Sequence, residues 1–402
     1  MDRRSFLVGA GGLALAQLTS GCSSWNQPAF KVRLLKKSIP AQLVGEFRQE
    51  LKQSAALKFD PEQQVKALFS SLQTWKLQAG KKDTQPQWRL PFIGGGTPAV
   101  ADLVTLGDYW LETAIRQELI QPLKIQQLNG WKQLPQSWKE LVVRDRKGQL
   151  SDSGSVWGAP YRWGSTVIAY NRDKFKELGL KPPKDWEDLW REELRDRISL
   201  LDQPREVIGL TLKKLGHSYN TTNLSQVPKL EEELRKLHQQ VKFYSSDNYL
   251  EPLILGDTWL AVGWSTDILP LRTRYRQIQA VVPLPGTALW ADLWVQPASL
   301  AAESNSVKTG NQLTLTQQWI DFCWKPKQAR EISLFTNAAS PIITSGNRAD
   351  LPEDLRKNPL LLPDSAVLNK SEFLKPLPKE SVEQYEDLWK EIRLLKNQSS
   401  SI

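Results

Sequence analysis

Cysteine and histidine are scarce, with two of each in 402 residues. Two cysteines cannot build a Cys-rich metal site or a disulfide framework, and His217 and His238 leave little material for zinc or histidine-based hydrolytic chemistry. No HExxH, CxxC, GxSxG, SxxK or P-loop pattern occurs, so the commonest zinc, hydrolase and nucleotide signatures are missing. After residue 22 no stretch supplies 18 consecutive apolar residues, the length a membrane span needs. A dominant charge is lacking too. Lys and Arg number 53 against 44 Asp and Glu, and a net +9 without a clustered patch does not imply nucleic acid. Against these absences stand 17 Trp and 8 Tyr, side chains suited to stacking and cation–π capture. The length allows two or three domains at roughly 100–200 residues each.

The N-terminus reads as an export signal. Arg3-Arg4 precede an apolar run from Phe6 to Leu18, followed by Thr19-Ser20-Gly21-Cys22. A positive start, a short apolar stretch and small residues before a cleavage point define a secretory signal too short to cross a bilayer. The twin arginines point to the route that exports folded proteins. Ser20-Gly21-Cys22 resembles a lipobox, which implies that Cys22 is acylated and becomes the mature N-terminus. Thr19 stands where such boxes usually carry leucine, and ordinary cleavage near Gly21 is the alternative. Residues 1–21 are thus a signal peptide and 22–30 a polar tether. Cys323 is expected to be a buried free thiol.

Downstream, two patterns alternate. Leu43, Val44, Phe47 and Leu51 recur at helical spacing after Pro40, and residues 79–98 form a loop ending in Gly94-Gly95-Gly96. Strands are predicted at Ala101 to Leu106, Thr166 to Tyr170, Ile198 to Leu201, Trp259 to Trp264 and Ile278 to Leu284. Helices are predicted at Trp110 to Leu119, Val207 to Leu215, Lys229 to His238, Leu313 to Trp324 and Val382 to Leu395, and Asp185 is placed as an N-cap. The alternation implies an α/β fold with mostly parallel sheets.

The stretch from Trp157 to Asn171, WGAPYRWGSTVIAYN, resembles the segment leading from one lobe into the other in the solute-binding components of spermidine/putrescine ABC transporters. Asp102-Leu103-Val104, Trp186 to Trp190, Arg205-Glu206-Val207, Ser246-Asp247-Asn248 and Trp290-Ala291-Asp292 follow in family order. The resemblance implies a two-lobed type II periplasmic binding protein fold with hinge crossovers. Lobe one comprises 31–163 and 288–346, and lobe two 164–287 and 347–395. It also implies a non-enzymatic, cofactor-free, metal-free and monomeric protein of the periplasm, held at a membrane through its lipid. Such a protein delivers a small cationic solute, a polyamine such as spermidine or putrescine, to an ABC permease, with no nucleic acid involved. Position by position, the ligand-binding residues implied are Tyr109, Glu206, Ser246, Trp264, Trp290 and Asp292, the rings holding methylenes and the carboxylates holding ammonium groups.

Several positions depart from the family pattern. Gln203 stands where a family aspartate falls, Leu35 and Ser38 where an aromatic pair falls, and Leu374 near a glutamine position. Lys36 and Lys37 flank the lost aromatic pair and would repel a polyamine. They motivate another reading, the same fold binding a different, carboxylated or otherwise anionic, small solute; an envelope assembly or scaffold protein that has lost ligand binding and a hydrolase built on a carboxylate pair are further alternatives.

Overall fold

The computed structural model describes residues 29–79, 100–299, 313–344 and 346–399. Arg3, Arg4, Cys22 and the triple glycine Gly94–Gly96 lie outside these residues.

Among the described residues, eleven strands join in one hydrogen-bonded sheet. Ala29–Leu35 lies between Ala56–Glu62 and Leu103–Gly107, parallel to both. Ala288–Pro297 runs antiparallel to Leu103–Gly107 and to the first half of the long strand Ala159–Asn171. Beyond Ser165 the long strand changes neighbours, pairing with Leu260–Trp264 and Ile278–Val281, again antiparallel. Ile198–Leu200 continues parallel from Leu260–Trp264, and Val241–Tyr244 completes that end. The expectation of mostly parallel sheets therefore needs correction. The outer pairings are parallel, but the two strands that carry the chain between the halves run in opposite directions and make the centre antiparallel.

Every residue of Ala159–Asn171 is buried, which its run of small, β-branched and aromatic side chains permits. The strand starts seven residues before the predicted Thr166, because Ala159 to Ser165 pair with the returning strand. The helix predicted from Trp110 to Leu119 shortens to Leu111–Arg116, and Glu118 beyond it takes a left-handed φ of 48°. Asp185 caps the turn Trp186–Trp190, its side chain accepting from the Glu187 N–H in a box completed by Asp188.

Pro204–Lys214 opens with proline at its first turn, where no intrahelical partner is lost. It packs against Leu230–Gln240 and the C-terminal helix Lys379–Ser399, placing Leu210, Leu234, Leu237, Tyr385 and Trp389 in one core. Residues 347–373 differ from expectation. The helix Glu353–Arg356 packs on Pro326–Phe335, and Leu355, Leu360 and Leu361 enter the core of the first half. The chain joins the other core only from Leu374 and Leu377. Cys323 is fully buried, and burial pushes its thiol up, away from reactivity. His238 is buried, stacked on Tyr244 and within 3.1 Å of its hydroxyl, while His217 is exposed. Among the described residues no helix is long and apolar enough to cross a membrane.

Candidate functional site

A cleft of about 690 Å³ opens between the two halves. Its walls come partly from chain that has just left a strand, Gly107 to Trp110 after Leu103–Gly107, Gln203 to Glu206 after Ile198–Leu200, Ser246 after Val241–Tyr244 and Trp264 at the end of Leu260–Trp264, and partly from the crossover strands themselves at Arg162, Trp290 and Asp292. In open α/β sheets the carboxyl ends of strands, free of covering helices, are where ligands bind. Tyr109, Trp290 and Asp292 line one side and Glu206, Ser246 and Trp264 the other, so all six residues proposed from the sequence face this space.

Glu206 sits in the first turn of Pro204–Lys214 and is only 6% exposed. Its oxygens accept from the Thr166 hydroxyl at 3.0 Å and from the Trp264 indole N–H at 3.4 Å. Both donors are neutral, and among the described residues no cation bonds this carboxylate. Burial pushes its pKa up to about 7, against the pull of Thr166, Trp264 and the Arg205 charge. Asp267, on the same side, accepts from the Tyr249 hydroxyl at 2.9 Å, and that hydroxyl accepts from the Trp264 backbone N–H. The Asp267 carboxyl is raised, first by its protein enclosure, although it stays open to the water of the cleft.

Asp292 is arranged differently. It is 4% exposed, and Arg162 Nε donates to it at 2.6 Å. Burial pushes the Asp292 carboxyl up and Arg162 opposes that shift, while the guanidinium itself is held charged by Asp292 against its own desolvation. Arg162 also donates to the Thr336 carbonyl and lies 5.9 Å from the centre of the Trp290 ring. Asp108 is enclosed nearby, accepts from the Ala291 N–H at 3.0 Å, and is pushed up to about 7 by burial, with Arg144 opposing and Asp292 adding to the shift. Trp290 packs edge-on against Gly164, where a Cβ would lie 2.4 Å from its Cζ2. Tyr109, 53% exposed, projects into the opening.

Two functional features escaped the sequence reading, Arg162 and Asp108. Arg162 carries a signal in hindsight: it is the one charged residue in the 13-residue strand Ala159–Asn171, and a charge buried there demands a partner. The lysines also need correction. Lys36 and Lys37 are exposed and do not line the cleft, since a left-handed φ of 64° at Lys37 turns the chain away after Leu35. Among the described residues the cations that face the cleft are Lys66, Arg162 and Arg205, set against the carboxylates of Asp108, Glu206, Asp247, Asp267 and Asp292. Leu35, Gln203 and Leu374 do line the cleft, whereas Ser38 is buried away from it. No group of three or more metal-ligating side chains occurs among the described residues.

The model of a family described as bacterial extracellular solute-binding protein matches residues 99–371. The chain belongs to that family. It is similar to the spermidine/putrescine-binding periplasmic protein of Salmonella typhimurium, at 28% identity over 272 residues, covering 68% of this chain and 72% of that one. It is similar also to the putrescine/cadaverine-binding protein of Pseudomonas aeruginosa, at 29% identity over 257 residues, 60% and 68% of the two chains. Its fold matches the solved spermidine/putrescine ABC transporter substrate-binding protein of Streptococcus pneumoniae with a TM-score of 0.72, at 20% identity, covering 92% of this chain and 99% of that one. As a family member this is an extracytoplasmic, non-enzymatic solute-binding protein, and the expected two-lobed α/β class is the one observed.

Proposed function

We propose that this binding protein captures a small organic cation of the polyamine class in its cleft and delivers it to an ABC permease. The observation that carries this reading is Glu206, a buried carboxylate held only by neutral donors beside an indole ring. A buried carboxylate without a countercharge is costly, and an ammonium group supplies the missing partner. A charge-assisted hydrogen bond is worth about 1.5–3 kcal/mol, and an ammonium over an indole about 0.5–2 kcal/mol more. Among the described residues five carboxyl groups and three cations line the cleft. The names of the relatives, spermidine/putrescine-binding and putrescine/cadaverine-binding, support the same solute class.

A ligand that binds only the folded state raises its melting temperature. Putrescine and spermidine should therefore raise it in the mature protein, while carboxylates and phosphate should not. An anion-selective shift would favour the other reading, in which Lys66 and Arg205 meet the solute.

Residues 31–163 with 288–373, and 164–287 with 374–395, would be the two lobes, closing about the crossover strands as periplasmic binding proteins do. We further propose acylation of Cys22, with residues 22–28 as tether; the expected boundary at residue 30 is corrected because Ala29 and Phe30 belong to the strand Ala29–Leu35 and Phe30 is buried in the core. Stable retention needs more than one acyl chain. Cys22→Ala should move the protein from washed membranes to the soluble periplasmic fraction, and a wild-type protein already found there argues against acylation. Export by the twin-arginine route predicts that Arg3→Lys with Arg4→Lys, which keeps the charge, blocks export. Normal export of that variant contradicts it.

A further inference from the structure

Resting on the reading of the cleft as a cation site, we infer that Asp108, rather than Asp292, is the carboxylate that receives the second ammonium group of a diamine, opposite Glu206. A ligand can shift the molecule towards a closed form only by bonding that form more strongly, and to do so it must bond both sides of the cleft. The side of Glu206 provides for one ammonium group, because Glu206 and Asp267 bond only neutral donors. Among the described residues the opposite side offers two carboxylates, Asp108 and Asp292. They differ in what already holds them.

Asp292 is already paired. It stands directly across from Arg162 on the neighbouring strand, and Arg162 Nε donates to it at 2.6 Å, with both side chains buried. The strand register shifts between Asp292 and Leu293, an irregularity of the kind that re-aims side chains beside a binding site. The guanidinium is anchored further by the Thr336 carbonyl and lies 5.9 Å from the centre of the Trp290 ring. An ammonium group brought to Asp292 would meet that like charge at close range, and displacing it would leave a buried guanidinium without its partner. Asp108 carries no such cation. It accepts from the Ala291 N–H at 3.0 Å, a neutral donor, and among the described residues no ion pair engages it. Arg144 acts on it through its field, while its own Nε and Nη1 donate to the carbonyls of Leu141 and Gly148. Asp108 lines the cleft and is 7% exposed, as little enclosed as Glu206. Burial pushes both carboxyls up to about 7, as expected of a charge whose partner is missing. The strand Leu103–Gly107 ends immediately before Asp108, and Tyr109 after it projects its ring into the opening, where it can cover the methylenes between two ammonium groups. Asp292 is then a positioning residue that keeps Arg162 neutralised and does not touch the ligand.

Calorimetric titration of the mature protein with putrescine and 1-aminobutane, which differ only in the second amine, tests the inference. The wild type should prefer putrescine by at least about 30-fold. Asp108→Asn, which can still accept from the Ala291 N–H, should reduce that preference to about threefold or less and leave the affinity for 1-aminobutane within about threefold of wild type. Arg162→Gln with Asp292→Asn removes the buried pair without leaving either charge alone, and should keep a preference of at least about tenfold. Structural damage would lower both affinities together, so their ratio isolates the second ammonium group. If Asp108→Asn does not fold, the double variant decides, since Asp108 is then the one described carboxylate left on its side of the cleft. A preference kept by Asp108→Asn, or lost in the double variant, overturns the inference and leaves the cation reading intact. Equal affinity for the two amines in the wild type does the same. Binding of neither amine removes that reading and the inference with it.

Discussion

Glu206→Gln should weaken amine binding by about 30- to 1000-fold, or roughly 2–4 kcal/mol. The wild-type carboxylate is buried, and its bonds come from Thr166 and Trp264. An ammonium ligand converts this isolated charge into a pair, and much of the binding energy at that end is relief of its desolvation. Glutamine preserves the shape and can still accept from Thr166, but it offers the ammonium a neutral oxygen. The ligand-free variant should be no less stable than wild type at neutral pH, because burial disfavours the ionised form of Glu206. Affinity and stability should thus move independently. Loss of both together would mean that the substitution had damaged the fold, and undiminished affinity would remove Glu206 from the site.

Gly164→Ala should be comparably severe, with affinity falling about 100-fold and stability by about 1–3 kcal/mol, the usual cost of overpacking. A Cβ at this position lies 2.4 Å from Trp290 Cζ2 and 2.5 Å from Ser265 Oγ. Gly164 belongs to the fully buried strand Ala159–Asn171 and pairs directly with Trp290 on the returning strand. The ring has no room to retreat without tilting into the cleft or parting the two strands. Adding Trp290→Phe should recover part of the stability, since the smaller ring clears the methyl group while the Ser265 hydroxyl must still shift, yet leave binding weak because phenyl is a poorer partner for an ammonium than indole. Melting and titration of the single and double variants separate these effects. Wild-type affinity in Gly164→Ala would show that the position of the indole does not matter.

Much of this arrangement can be read from the sequence because its signals are local. Asp185 announces its own cap. The residues from Trp157 to Asn171 carry both the buried strand and the change of partners at Ser165. Glu206, Ser246 and Trp264 are legible only through the family resemblance; in the structure each closely follows or ends a strand. The remainder depends on distant partners. Arg162 and Asp292 are 130 positions apart, and no local pattern reveals that one neutralises the other. Asp108 becomes buried only when Ala291 is laid across it. The leucines of residues 351–362 look like part of a Pro-rich loop until the helix Pro326–Phe335 is present to receive them. Lys36 and Lys37 follow a strand that leads to the cleft, and only the backbone turn at Lys37 shows that they leave it.

The central claim is that a desolvated carboxylate in this cleft awaits a cation, and the exchange of protons on binding tests it most directly. In the free protein Glu206 titrates near 7. An ammonium partner must stabilise its ionised form, while the ligand amine, with a pKa near 10 like that of lysine, stays charged throughout. Calorimetry in buffers of different ionisation enthalpy should therefore record proton release on binding between about pH 5.5 and 7. Affinity should rise with pH across that interval and level off above it, and Glu206→Gln should abolish the Glu206 share of both effects. Proton uptake, or an affinity that falls as the pH rises, would contradict the account.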